Sequence, residues 1–427
     1  MKKVLIITYY WPPAGGPGVQ RWLKFVKYLR DFGVEPVVYV PKNPSYPIID
    51  RSFEKEIPAG IEVIKKRIFE PYSLAKIFSK GETETISSGI IADEEKQSFL
   101  QKLMLFIRGN FFIPDARKFW IRPSVRFLKG YLKENNIDTI ITTGPPHSLH
   151  LIGLQLKEQM GTRWLADFRD PWTQIGYHEK LKLTSASRKK HEALEKEVLQ
   201  KADEIITTSF TTRAEFEGKT KRPVTVITNG FEKAAVEEIK LDEKFSISHI
   251  GSLLSGRDPG TLWRILAELV HDNKDFATDL ELNVAGAVSE EVVQSIKKAG
   301  LGKNLILKGY VSHDEALELQ KKSQLLLLIE IDSEETRGII AGKLYEYMAA
   351  KRPILAIGPE SWDVERIISE TGTGKVFSYR AGQELKEYLM QAYKEYKAGN
   401  LKSKATNIEQ YSRRNLTGKL AKLITAS

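Results

Sequence analysis

Residues 3–32 read KVLIITYYWPPAGGPGVQRWLKFVKYLRDF, and the reading of this stretch decides the fold. Lys3–Tyr10 is a β-rich apolar run, 12–18 is a loop of proline and glycine, and Val19–Phe32 carries apolar residues at helical spacing. A strand, a glycine loop and a helix in that order open a βαβ unit. Further along, strands are predicted at Glu35–Val40, Ile61–Lys65, Thr139–Thr143, Arg163–Phe168, Glu204–Ser209 and Val224–Thr228. Helices fall between them, Ser148–Met160 and Ser187–Lys201 among them. Several strands are apolar throughout, as strands covered by helices on both faces are.

A charged and less patterned stretch, Glu232–Lys244, interrupts this rhythm and reads as a linker. A second series follows at Phe245–Ile250, Leu280–Ala285, Asn304–Lys308, Leu325–Glu330, Pro353–Ile357 and Lys375–Ser378, and Thr406–Leu423 reads as a closing helix. The expected architecture is α/β, with two doubly wound domains, 1–233 and 244–405, facing a cleft. Ligands of such sheets lie beyond the carboxyl ends of the strands.

Composition narrows the function classes. The chain has 427 residues, 41% hydrophobic and 28% charged, a balance of ordinary globular domains rather than disorder. It has no cysteine, which excludes disulfides, thiolate metal sites and thiol nucleophiles. Lys and Arg exceed Asp and Glu by 65 − 55 = 10, so anionic partners are expected. The opening apolar run is too short for a signal sequence, and no apolar stretch approaches the ~20 residues of a membrane span. A cytoplasmic protein is the expectation.

Gly15, Gly16 and Gly18 let a phosphate or sugar approach the backbone at a helix start that attracts anions; the plainer reading is a tight turn. A dinucleotide site is disfavoured. Arg21 stands where the third glycine belongs, and the second strand ends Tyr39-Val40-Pro41-Lys42 without an acid for a ribose. Between Lys96 and Lys133, nine Lys or Arg and eight aromatics are interleaved with one acid, Asp115. That mixture suits an anionic lipid surface, or alternatively an aromatic core beneath a solvated basic face. Nucleic acid would use the same composition, but no nucleic-acid motif accompanies it, so none is expected as a partner.

Two middle loops carry polar candidates at carboxyl strand ends. One is Gly144-Pro145-Pro146-His147-Ser148, and the other follows Asp167-Phe168 as Arg169-Asp170-Pro171-Trp172. Asp167, Arg169 and Asp170 are placed to orient hydroxyls by charge-assisted hydrogen bonds; His147 would do the same or cap the next helix. No serine-hydrolase elbow, zinc-binding H-E-x-x-H or other metal-ligand set is present, so no metal and no cofactor are expected. In the second half, His249-Ile250-Gly251-Ser252 closes a strand and Gly256-Arg257-Asp258-Pro259 opens a helix. Thr336–Tyr347 is a glycine-bearing loop feeding another helix, on which Lys343 and Glu346 share a face. A cation there suits a diphosphate, and the carboxylate suits both hydroxyls of a ribose; an ion pair on the helix surface is the rival.

Taken in order, these pieces resemble the two-domain GT-B glycosyltransferases, specifically the retaining family 4 (group 1) enzymes that build bacterial surface polysaccharides. The resemblance spans nearly the whole chain. It rests on Gly15-Gly16, Asp167–Trp172, Asn229-Gly230, Gly251 with Arg257, and above all Gly342-Lys343-Leu344-Tyr345-Glu346-Tyr347 followed by Arg352-Pro353-Ile354. It implies that Glu346 binds the ribose, Arg257 and Lys343 the diphosphate, and the backbone near Tyr310-Val311 the base. The Gly338–Gly342 loop would lie against phosphates and sugar, Gly15 and Gly16 would close from the other domain, and residues 406–427 would pack back on the first domain. The substrates implied are a nucleotide-sugar donor and a glycan or lipid-linked acceptor. Separately, on its composition, the Lys96–Lys133 face is expected to dock at the inner membrane face, where a lipid-linked acceptor would wait. The chain departs from the family pattern at Gly338, where an earlier glutamate often stands, at Ser252, usually basic, and at Arg169-Asp170, where many members carry a histidine. Rival readings are a noncatalytic nucleotide- or glycan-binding protein of this fold and a sugar-nucleotide epimerase.

Overall fold

Strands joined through helices return the chain to the same end of a sheet, and parallel pairing follows. The computed structural model describes residues 1–70, 99–174, 181–233 and 239–426. Lys96 and residues 234–238 of the expected linker lie outside the described residues. Two compact units are present, one of Met1–Thr228 with Arg413–Ser427 and one of Asn229–Ser412.

Unit 1 runs β1 (Lys2–Ile7), α1 (Pro17–Leu29), β2 (Val34–Pro41), β3 (Glu62–Lys66), α2 (Phe99–Phe111), α3 (Ile121–Glu134) and β4 (Thr139–Gly144). It continues with α4 (Ser148–Met160), β5 (Arg163–Phe168), α5 (Ser185–Lys201), β6 (Glu204–Thr207), α6 (Phe210–Glu217) and β7 (Val224–Val226). Its seven strands pair in parallel in the order β3-β2-β1-β4-β5-β6-β7. Alternate residues of β1 feed the two faces: Leu5 and Ile7 enter one core with Trp120, Leu128 and Trp164, while Val4 and Ile6 enter the other with Trp22 and Val26.

Unit 2 contains β8 (Phe245–Ile250), α7 (Gly260–Asp272), α8 (Lys274–Asp279), β9 (Leu280–Ala285), α9 (Glu290–Lys298), β10 (Leu305–Gly309) and α10 (His313–Lys322). Then come β11 (Leu325–Ile329), α11 (Lys343–Ala349), β12 (Ile354–Gly358), α12 (Asp363–Thr371), β13 (Gly374–Ser378) and α13 (Gln383–Lys397). Its parallel sheet has the order β10-β9-β8-β11-β12-β13. In both sheets the strand order reverses beside the first strand, between β1 and β4 and between β8 and β11. Each unit is a Rossmann-like doubly wound domain, and each reversal is a point where loops diverge and leave room for a ligand.

The last helix, α14 (Arg413–Thr425), belongs to unit 1. Leu416, Leu420, Ala421 and Ile424 are buried in one cluster with Trp22, Phe25, Val26 and Leu29 of α1. Each large apolar side chain so buried contributes about 1.5–3 kcal/mol. The helix starts later than the sequence pattern suggests. Asn407 takes φ +54°, Ile408–Tyr411 forms a single 3-10 turn and Ser412 is extended, so 406–412 stay with unit 2. Phe231 N donates to Tyr411 O at 3.2 Å, which draws 229–233 into unit 2 as well. At the other boundaries, β1 ends at Ile7 rather than Tyr10, where the backbone bends at Tyr9 and Thr8 Oγ1 donates to Tyr10 O at 3.1 Å. The strand β6 ends at Thr207 because Ser209 Oγ accepts from Thr212 N and caps α6.

Candidate functional site

In unit 2 the polar groups gather where β8 and β11 end. The short helix α11 buries Leu344, Tyr345, Tyr347 and Met348, and Ile250 N at the end of β8 donates to Tyr347 Oη at 2.9 Å. This fastening places Lys343 and Glu346 on the opposite, partly open side of the helix. Lys343 Nζ reaches over Gly251, where a Cβ would lie 2.4 Å from the nitrogen; Gly251 also has φ +125°. The positive φ is what calls for glycine here, since the lysine tip could move aside.

Lys343 Nζ lies 3.3 Å from His249 Nε2, and His249 Nδ1 lies 3.0 Å from Leu327 O. Nε2 also lies 3.3 Å from Ser252 O; with the single ring proton assigned to Nδ1, facing Leu327 O, Nε2 accepts from the ammonium. His249 is buried, and desolvation with the adjacent Lys343 charge pushes it down to about 3. It is therefore a neutral acceptor. Desolvation and then the Arg257 charge lower Lys343 to about 8, with Glu330 and Glu346 opposing. Arg257 Nε and Nη2 are 3.0 and 2.8 Å from Glu330 Oε1, which also accepts from Ile331 N at 2.9 Å. Glu330 is buried at the carboxyl end of β11, while Arg257 keeps 27% of its side chain exposed. Glu330 thus pairs with Arg257, while Lys343 feels Glu330 and Glu346 at longer range and makes no ion pair of its own among the described residues. One turn after Lys343, Glu346 is half-buried and Oε2 accepts from Gln320 Nε2 at 3.1 Å.

The other candidates of this unit lie on the same carboxyl edge. Gly342 is exposed and a Cβ there would meet no protein atom, and Gly338 lies in the loop that Trp362 Nε1 holds through Ile339 O at 2.7 Å. Val311, half-buried, follows β10, two strands from β8 and so about 10 Å along the edge. Its neighbour Tyr310 is 95% exposed.

In unit 1 the candidates divide. Asp167 is fully buried and accepts from Arg21 at 2.7 and 3.2 Å, Trp22 Nε1 at 2.9 Å and Thr143 Oγ1 at 2.9 Å. Burial pushes its carboxyl up, but the Arg21 charge and these hydrogen bonds outweigh that and hold it below the ordinary carboxylate range. A carboxylate so enclosed fixes the strand ends and is closed to substrate, which corrects the expectation that it orients a hydroxyl. His147 is also buried, stacked on Trp172 at 4.7 Å. Nor does its side chain cap α4: Asp115 does, accepting from Ser148 N and Oγ at 2.8 Å each.

Arg169 and Asp170 are the accessible pair. The Arg169 guanidinium packs on Gly18, donates to Pro145 O and lies 5.5 Å over the Tyr10 ring. A Cβ at Gly18 would sit 2.1 Å from Arg169 Nη1, so this glycine serves a close approach within the protein. Asp170 reaches solvent, and its carboxyl is nonetheless raised by desolvation, with Arg169 opposing and Asp167 adding. Gly15 donates its N–H to Ile48 O at 2.9 Å and packs on that residue, and Gly16, at φ +90°, caps α1. Among the described residues, no group of three or more His, Asp or Glu is placed to hold a metal, and no helix is long and apolar enough to cross a membrane.

Sequence reasoning missed Glu330, His249 and Gln320. Glu330 had a visible signal, a lone acid ending the apolar run Leu325–Ile329; His249 shared its strand with Ser246 and Ser248 and carried no such signal.

No protein-family model matches the chain, and none of the curated proteins matches it by sequence. Solved structures do match in fold. TarM is 13% identical with a TM-score of 0.61, covering 100% of this chain and 99% of its own. A variant of S. aureus TarM, in complex with Fondaparinux, alpha-GlcNAc-glycerol and UDP, matches at 12% identity and a TM-score of 0.57 over 100% of both chains. The lipopolysaccharide outer core galactosyltransferase WaaB is 14% identical with a TM-score of 0.58, covering 99% of each chain. A putative UDP-N-acetylglucosamine 2-epimerase from Listeria monocytogenes is 11% identical with a TM-score of 0.50, covering 98% of this chain and 95% of its own. These likenesses, spread over both units, show the GT-B fold.

Proposed function

We propose that the chain is a retaining glycosyltransferase of the family 4 type, moving a hexose-type sugar from a nucleotide-diphosphate donor to a hydroxyl acceptor. The observation that carries this reading is the Lys343–Gly251–Arg257–Glu330 arrangement with Glu346 one turn away. A diphosphate brings two charges to be met, and an ammonium beside a braced guanidinium meets them. Glu346 then takes the ribose hydroxyls, and the backbone at Val311 borders the base, with Tyr310 beside it.

As the sugar–phosphate bond breaks, negative charge grows on the leaving diphosphate, so cations already in place there stabilise the transition state most. In this reading the departing phosphate oxygen takes the acceptor proton while the acceptor oxygen bonds to the anomeric carbon on the same face. No metal takes part. On unit 1, Arg169 and Asp170 orient the acceptor, and Asp167 acts only by holding the loop that carries them. The acceptor belongs to surface polysaccharide or glycolipid synthesis, as a glycan or a lipid-linked hydroxyl. The enzyme works from the cytoplasm, peripheral at the inner membrane face.

Calorimetry with UDP-, GDP- and ADP-sugars tests this. One donor class should bind, and Glu346→Ala should weaken it about 10- to 100-fold, the worth of a hydrogen-bonded charge. Unchanged affinity in that variant removes the assignment. Product analysis then separates transfer from epimerisation of the donor, and binding with neither reaction marks a noncatalytic protein.

A further inference from the structure

The basic aromatic segment splits in two in the structure. From Trp120 onward the aromatics are inside or packed: Trp120 is buried, Phe127 stacks on Tyr39 at 6.2 Å, and Tyr131 Oη donates to Glu62 at 2.7 Å. The first half behaves differently. The helix α2 has one apolar stripe turned inward, with Met104 and Leu105 packed on Leu181 and Leu183. A second apolar stripe, Leu103, Phe106, Ile107 and Phe111, follows helical spacing and is 37–63% exposed.

Phe119 and Phe69 extend this stripe, their rings 5.7 Å apart and both exposed. These six residues are six of the sixteen exposed large apolar side chains among the described residues, and they include every exposed phenylalanine. Solvent-facing apolar residues usually scatter singly; a gathered set marks a contact surface.

Charge selects the partner. Lys102 and Arg108 lie on the same helix, and Lys118 Nζ sits 5.3–5.4 Å over Phe119 and Phe112. From 99 to 133 the single acid is Asp115, already engaged at the start of α4. Apolar side chains set among cations, with no second acid between residues 99 and 133, fit the boundary between anionic headgroups and acyl chains. The surface also adjoins the loops of the proposed acceptor side. Arg117, two residues from Phe119, donates to Tyr9 Oη at 3.2 Å just past β1, and Asp115 reaches the loop after β4.

We propose that the outer face of α2, with Phe69 and Phe119, seats unit 1 on an anionic lipid surface and brings its carboxyl-end loops level with a lipid-borne hydroxyl. This sharpens the membrane reading above, on which it rests, by assigning contact to α2 and withholding it from α3.

The test is sedimentation of the full chain with vesicles of phosphatidylcholine, alone or mixed with phosphatidylglycerol, at low and moderate salt. Binding should require the anionic lipid and weaken as salt rises. Replacing two exposed residues together, Phe106→Ser and Phe111→Ser, should lower vesicle affinity about tenfold or more. Arg122→Gln with Lys129→Gln on α3 should lower it less. No binding by the parent chain, or equal binding by the phenylalanine variant, overturns the proposal. So does a parent dimer that the same variant dissociates in vesicle-free velocity runs, since a second copy would then cover the face. Donor calorimetry on the same samples keeps the readings apart. Vesicle binding without donor binding breaks only the transferase assignment; donor binding without vesicle binding breaks this proposal and the membrane placement beneath it, and leaves the transferase assignment standing.

Discussion

Each unit places a buried carboxylate paired with an arginine at the carboxyl end of its sheet, and the two pairs do different work. In unit 1, Asp167 and Arg21 are 0% and 2% exposed at the side chain, and the guanidinium gives its remaining reach to Thr228 O at 3.0 Å. The pair is closed on itself. In unit 2, Glu330 is equally hidden, but Arg257 keeps an open edge and Lys343 stands beside it against His249, with no ion pair of its own among the described residues. An inward pair stiffens loops, whereas an outward pair with a surplus cation offers charge to a ligand. Exposure of the arginine, more than the presence of the ion pair, separates scaffold from site.

Stability breaks the comparison most sharply. Asp167→Ala strands Arg21 without a counter-charge inside the protein and should cost about 3–5 kcal/mol in denaturant unfolding. Glu330→Gln should cost less, about 1–3 kcal/mol, because Arg257 can recover water. If the two losses are equal, the distinction between closed and open pairs fails. Donor affinity should sort the rims the other way: Glu346→Ala weakens it, while the folded fraction of Asp167→Ala binds donor as the parent does.

The elements were legible because strand and helix periods differ and several strands, Leu325–Ile329 and Ile354–Gly358 among them, are nearly unbroken apolar runs. The Lys343–Glu346 spacing was legible for the same reason, since a helix puts residues three apart on one face. What the sequence hid was depth. Asp167 and Asp170 look alike in a string of letters, yet Arg21, from a helix 146 residues away in the chain, takes the first out of reach. His147 vanished likewise beneath Trp172. Glu330 could be seen as a charge at a strand end, but its partner Arg257 lies 73 residues earlier and nothing local names it. The basic aromatic segment resisted a single reading because its composition is uniform while its two helices face different surroundings.

The finest test uses the depressed ammonium of Lys343, and it carries two opposite signs. Its folded value, about 8, lies below the ordinary 10.5, so above about pH 8 the unfolded chain holds a proton that the folded one has released. Stability therefore rises with pH across that window, by linkage. Donor affinity should move the other way, complete below pH 8 and falling as the charge is lost. The facing groups are Arg257, Glu330, Glu346 and His249, and His249 adds no titration of its own there, being neutral down to about 3. Denaturant melts and donor calorimetry between about pH 7 and pH 9 should thus give slopes of opposite sign. Both slopes should flatten in Lys343→Met, and Lys343→Arg should keep affinity without its decline. Parallel slopes would place the titrating group elsewhere and leave the outward pair of unit 2 without its surplus cation.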